Sequence, residues 1–262
     1  MRSLSNLDQA LKTALSDYLL AMADDELILG QRNSEWCGHA PILEEDIAFA
    51  NLALDEIGHA AAYYAILAEL NGENAETYPD RMVYFRDPAA FRNAQLVELP
   101  NGDWAFSMLR QFLFDALEKV RLNELSSSSF ELLAEVSAKI KLEEHYHFRH
   151  SSAWVKRLGL GTQESNRRSQ AALDQLWPQA LNLIASLPQD SPATEAGYFP
   201  DNDRLQSAWS KLVIPFLEES GLNIPTTSDR MEVIDRSQHS QSLLPLIMEM
   251  QSLARLEPGA EW

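Results

Sequence analysis

The chain has 262 residues, 45% of them apolar and 23% charged, enough to bury a sizeable core and ordinary for a globular protein. Asp and Glu outnumber Lys and Arg by 39 to 21, and the formal charge of −18 argues against nucleic acid or a membrane surface as partner, both being polyanionic. The single cysteine, Cys37, excludes an intrachain disulfide and a thiolate metal cage. The N-terminus carries no apolar signal region and no run of about 18 apolar residues occurs, so the expected location is cytoplasmic.

Ser5 or Asn6 can cap a first helix, in which Leu15, Leu19, Met22, Glu26 and Leu29 fall on one stripe. The segment from Gly30 to Pro41 interrupts that pattern. Glu44 to Leu70 reads as one long helix, apolar almost all the way round, which predicts burial at the centre of a bundle. Asn71-Gly72 stops it. Residues 73–103 form a long connection with Pro79, Pro88 and Pro100 and a short helix near 88–96. Asp103 can cap a third helix, to about Leu125, and Ser126–Ser129 mark a turn. A fourth runs from about Glu131 to Leu158, before Gly159-Leu160-Gly161. Helical segments at about 163–187, 201–220 and 229–256 follow, with Pro178, Pro215 and Pro245 expected to kink or split them. No strand-like alternation is evident. The reading is an all-α chain, one domain over 1–262, with a four-helix core at about 6–158 and a C-terminal helical extension at about 163–256. Residues 15–70 and 106–158 look like two copies of one helical hairpin.

Glu56-Ile57-Gly58-His59 puts a carboxylate and an imidazole one turn apart on one helical face. Di-iron carboxylate bundles take such a unit from two helices and a Glu from each of the other two, because carboxylates bridge and neutralise two cations while imidazole supplies nitrogen. Glu26 lies thirty residues before Glu56, and helix four offers Glu144 and His147. Glu143 is also one turn from His147, so which glutamate pairs with it stays open. Thirty residues before Glu144 lies Phe114, and the stripe Phe106, Leu109, Leu113, Ala116 and Val120 has no carboxylate. Asp115 and Glu118 are expected to point away from that stripe, with Arg110 at the core edge. Five ligand candidates and a missing sixth therefore suggest a remnant site rather than a working one. His145 and His150 are expected at the surface, and Cys37 beside Trp36 reads as packing.

Two stretches carry a family resemblance. One runs from Leu20 to Asp55 and includes Ala23-Asp24-Asp25, Ser34-Glu35-Trp36-Cys37-Gly38-His39-Ala40-Pro41 and Leu43-Glu44-Glu45-Asp46. The other is Glu249-Met250-Gln251 near the C-terminus. Both resemble the phenylacetyl-CoA epoxidase (ring 1,2-monooxygenase) family, and within it the non-catalytic, ferritin-like C subunits. That resemblance implies a ferritin-like four-helix bundle with additional C-terminal helices. It implies a structural and activating role beside a homologous catalytic subunit, whose di-iron centre uses dioxygen to epoxidise phenylacetyl-CoA, with a reductase supplying electrons from NADPH. On this reading the chain itself has no catalytic or cofactor-binding residues, needs no cofactor, and is inactive alone. Glu26, Glu56, His59, Glu144 and His147 are metal-site remnants, and a homodimer is also expected. The segment Arg236-Ser237-Gln238-His239-Ser240 fits the family pattern loosely. Two other readings use the same residues: an independent di-iron oxidase, and a ferritin-like iron-binding protein.

Overall fold

The computed structural model describes residues 7–226 and 232–260, all of them helix, turn or loop. In chain order the helices are α1 (Gln9–Ser34), α2 (Leu43–Asn71), α3 (Tyr78–Asp80), α4 (Gln95–Glu98), α5 (Trp104–Leu125), α6 (Glu131–Gly159), α7 (Gln163–Ala185), α8 (Ser191–Glu195), α9 (Asn202–Glu219) and α10 (Leu243–Leu256). A π-turn at Arg81–Phe85 and a 3-10 turn at Pro88–Ala90 lie between α3 and α4. No described helix is long and apolar enough to cross a membrane.

The local signals place most ends. Asp103 accepts the Phe106 N–H at 3.0 Å and starts α5, and Gly72 closes α2 at φ 69°, a left-handed conformation that costs other residues energy. Glu44, Glu45 and Asp46 occupy the first turn of α2, where the macrodipole favours them. The cap of α1 is Asp8, whose carboxylate accepts from Leu11 N–H; Ser5 and Asn6 lie outside the described residues. The helix expected at 229–256 begins only at Leu243, and residues 227–231 lie outside the described set. Pro178 and Pro215 sit inside α7 and α9 without splitting them, and Pro245 falls in the first turn of α10, where a missing N–H costs little.

The chain forms two compact units. One holds the described residues up to Pro100 together with the segment from Asp235 onward; the other is Asn101–Ile234. Each is built on a long hairpin, α1 with α2 and α5 with α6.

In the first unit every residue from Ala21 to Gly30 is buried, so α1 is surrounded. α2 is not: Leu43, Ile47 and Leu54 are 71%, 55% and 69% exposed, and their spacing of four and seven puts them on one face. The expectation that α2 is buried on all sides is thus corrected. Apolar composition says what a face tolerates, and something else must cover this one.

Consecutive helical residues point 100° apart, so Asp24, Asp25 and Glu26, all fully buried, address three different neighbours. Asp24 accepts from the Tyr64 hydroxyl, from Arg86 at 2.5 Å and from the Arg92 N–H at 2.6 Å. Asp25 accepts from the Ala94 N–H at 2.7 Å and pairs with Arg236 at 2.8 Å. Glu26 faces α2. A second knot forms at Glu98, whose carboxylate takes His239 Nδ1 and the Ser240 N–H, each at 2.6 Å, and whose carbonyl accepts from Arg32. Gln251 donates to the carbonyls of Val83 and Arg86, so α10 fastens the 81–86 turn. The loosely matching segment around Arg236 and His239 is therefore the tie between α1, the 86–98 loop and the C-terminus.

Burial, and then the Asp24 carboxylate beside it, push the Tyr64 hydroxyl well above its usual range, and the opposing pull of Arg86 is smaller. A folded-state value raised in this way contributes stability that is full below about pH 10, the unfolded tyrosine value, and is lost as pH rises through the folded one. The urea midpoint of the protein is expected to fall steeply above about pH 10, and Tyr64→Phe to flatten that limb. Identical alkaline limbs in both proteins would refute this.

In the second unit α5 is the surrounded helix: every residue from Ala105 to Glu118 is buried. α6, α7 and α9 pack round it. Trp209 of α9 is fully buried, stacks on Trp177 of α7 at 5.4 Å and donates its indole N–H to the Leu113 carbonyl at 3.1 Å. Gly159 ends α6 against the C-terminal end of α9; a Cβ there would meet the Ser220 carbonyl oxygen at 2.1 Å, so only glycine permits that approach.

Candidate metal centre

The first unit brings Glu26, Glu56 and His59 together. Each offers a ligand atom within 4.8 Å of the others, and all three side chains are buried. His59 Nδ1 lies 3.4 Å from Glu26 Oε2. Helix register explains the group: Glu56 and His59 are one turn apart on α2, and Glu26 is on the facing side of the antiparallel α1. One turn beyond Glu26, Gly30 allows the backbones to close up. A Cβ on it would meet Ile57 Cγ1 at 3.0 Å, Glu56 Cβ at 3.1 Å and the Ala53 carbonyl at 3.2 Å. Gly30 thus sets the level at which α1 meets Glu56.

In the second unit Glu144 and His147 form the matching pair on α6. Both are buried and His147 Nδ1 bonds to Glu144 Oε1 at 2.9 Å. This resolves which glutamate pairs with His147, since Glu143 is exposed. His145 is exposed and His150 half-buried, in line with a place towards the surface. Cys37 is exposed, not packed in the core; its neighbour Trp36 makes the packing contact, edge-on to Phe49 at 6.2 Å.

α5 is built differently from the expectation. Phe114 does occupy the register position and is buried. Asp115 and Glu118 are buried too, against expectation, as is Arg110. An apolar stripe marks one buried face of a helix, and α5 has no exposed face over this stretch. Both acids are engaged within their own unit. Asp115 accepts from Gln111 at 2.6 Å and from the Ser151 hydroxyl at 2.6 Å. Glu118 forms a fully buried ion pair with Arg121. Sequence reasoning missed Arg121, for which i,i+3 spacing from Glu118 was the available signal.

A dinuclear carboxylate site needs a glutamate from each of two helices besides two Glu-x-x-His units. α1 supplies one, and α5 supplies a phenylalanine at the matching position and an acid already paired with a buried cation. The donor set falls short of a di-iron centre.

Residues 3–262 match the phenylacetic acid catabolic protein family. The chain belongs to that family. It is 38% identical over 248 residues to the C subunit of the 1,2-phenylacetyl-CoA epoxidase of Escherichia coli (strain K12), an alignment spanning 95% of this chain and 99% of that protein. The structure is similar to protein 19 with aldehyde deformylating oxidase activity from Synechococcus, at TM-score 0.62 and 15% identity over 92% of this chain and 98% of the other. At that identity the likeness establishes the fold alone, which is all-α and ferritin-like. Membership of the phenylacetic acid catabolic family agrees with the resemblance seen in Ser34–Pro41 and Glu249–Gln251, and Gln251 now has a structural duty in holding the 81–86 turn.

Proposed function

We propose that this chain is the structural and activating C-type subunit of a phenylacetyl-CoA 1,2-epoxidase. It pairs in the cytoplasm with a homologous catalytic subunit that holds the di-iron centre, in an assembly that includes a reductase and a second copy of this chain. The relationship to the Escherichia coli C subunit along nearly the whole chain supports the assembly. The observation that carries the non-oxidising role is the state of α5, where Phe114 stands in the ligand register and Glu118 is tied to Arg121. A buried guanidinium in the core of this hairpin opposes cation binding there. The exposed apolar face of α2, with Leu43, Ile47 and Leu54, supports a partner surface, since such side chains cluster on a free face at a cost in solvation.

The chain's own residues do positioning work in this reading. Asp24, Asp25, Glu98 and their arginine and histidine partners lock α1 to the connecting loop and the C-terminal segment, so α2 is presented as a rigid surface. The test is reconstitution. The purified chain with reductase, NADPH and phenylacetyl-CoA is expected to give no epoxide, and addition of the catalytic subunit to give turnover that neither protein shows alone. Epoxide formation by this chain with reductase only would overturn the proposal, and so would a catalytic subunit whose rate this chain leaves unchanged. Mass measurement of the complex checks for the second copy.

A further inference from the structure

We propose that the groove between α10 and the 81–86 turn of the first unit docks a partner protein through an apolar segment flanked by lysine or arginine. The inference does not rest on the proposed function. The groove encloses about 580 Å³. Tyr84 and Phe85 line it from the turn and Met250 and Leu253 from α10, with the exposed carboxylates of Asp80 and Glu257 completing the lining. Phe85 and Leu253 are 45% and 55% exposed, so the groove is open along its top. α10 turns Leu243, Leu246 and Ile247 inward and still leaves Leu253 in water. A helix that is apolar on more than one face needs a second cover.

The walls are set before anything binds. Gln251 donates to the carbonyls of Val83 at 2.8 Å and Arg86 at 3.0 Å, and Arg255 to those of Tyr84 at 3.0 Å and Arg86 at 2.9 Å. Polar side chains of α10 thus hold the turn by its backbone, which lowers the ordering cost of docking. The Glu249-Met250-Gln251 run divides accordingly: Gln251 fastens the turn, and Met250 offers the groove a flexible thioether that fits side chains of varied shape.

Charge selects the occupant. Neither Asp80 nor Glu257 has an ion pair among the described residues. The arginines beside the groove are engaged, Arg81 with Glu73 at 3.1 Å and Arg255 with the carbonyls of the turn. A second copy of this chain would bring a formal charge of −18 towards these carboxylates, and an anionic membrane surface would be repelled likewise. A small ligand would stay partly in water between the open walls, whereas pockets for such ligands bury about 70–90% of their surface. A partner helix or extended segment continues beyond the groove. It seats a large apolar side chain between Phe85 and Leu253 and sets lysine or arginine against Asp80 and Glu257.

The test uses the full chain and three dye-labelled synthetic peptides, read by fluorescence anisotropy. The first is an amphipathic helix of leucine and lysine, the second carries glutamate for lysine, and the third carries serine for leucine. Only the first is expected to bind, with a micromolar Kd. Leu253→Asp and Phe85→Ser, one in each wall, are each expected to weaken it more than about tenfold. Asp80→Asn combined with Glu257→Gln is expected to weaken it about three- to tenfold and to reduce its salt dependence. Leu142→Asp, at an exposed apolar residue of α6, is expected to leave it unchanged. Far-UV circular dichroism checks that each variant folds. Should both wall variants unfold, the charge variant decides, and unchanged affinity and salt dependence there overturn the proposal. It is also overturned if the leucine–lysine peptide does not bind, if either control peptide binds as tightly, or if Leu142→Asp weakens binding as much as Leu253→Asp. A dimer in sedimentation that Leu253→Asp dissolves, or retention on phosphatidylcholine–phosphatidylserine vesicles that Leu253→Asp abolishes, would assign the groove to another occupant and overturn it as well.

Discussion

Arg236→Ala is expected to destabilise the protein by about 3–5 kcal/mol, the usual cost of removing one partner of a buried ion pair. The guanidinium is buried, contacts Asp25 at 2.8 Å, and donates to the Arg92 carbonyl at 3.1 Å and more weakly to that of Ala21. Its loss leaves a fully buried carboxylate beside an alanine. The effect should also be regional. Arg236 lies in the tie that runs through His239 and Ser240 to Glu98, so the C-terminal segment and α10 should lose protection first. Urea denaturation gives the magnitude, and amide hydrogen exchange at residues 235–256 and 81–98 gives the location. A midpoint within about 0.5 kcal/mol of wild type would mean that Asp25 is neutralised another way. Since a domain has about 5–15 kcal/mol in all, the expected loss puts the fold near its threshold.

Arg121→Ala is the second large effect, also about 3–5 kcal/mol, for a related reason in the other unit. Both Arg121 and Glu118 are fully buried and paired, so truncation removes this cation from beside Glu118 and opens a cavity in the core. The informative companion is Arg121→Met combined with Glu118→Leu, which removes both charges at similar volume. Buried pairs replaced this way are often neutral or stabilising by about 1–4 kcal/mol. The single variant should therefore fall well below the double. A double variant as unstable as the single would show that volume, not charge, governs the site.

The two ion pairs also explain why the candidate site was only half legible. The Glu-x-x-His units were visible because both members lie within one turn, and both proved buried. Glu26 was visible because its stripe is apolar. Arg121 has only its i,i+3 spacing from Glu118 as a local signal, and a helix with a single inward face would leave that pair at the surface. Asp25 had no such signal: Arg236 is 211 residues further along the chain, and nothing near either marks the other.

By itself the sequence determined that the chain is helical, where most of its long helices begin and end, though not the start of α10, and that Glu56 and His59 share one helical face. Those are local properties: Asp103 caps because its own carboxylate reaches a nearby N–H, Gly72 stops because it alone tolerates the left-handed turn, and periodicity reports one face of one helix. The tertiary structure decided how many faces each helix buries. α5 reads as amphipathic yet is enclosed over Ala105–Glu118, because α6, α7 and α9 surround it. α2 reads as apolar all round yet leaves Leu43, Ile47 and Leu54 in the open. A residue's own neighbours in sequence fix its direction from the helix axis, but what waits in that direction depends on packing between distant segments, and that is where the buried charges find their partners.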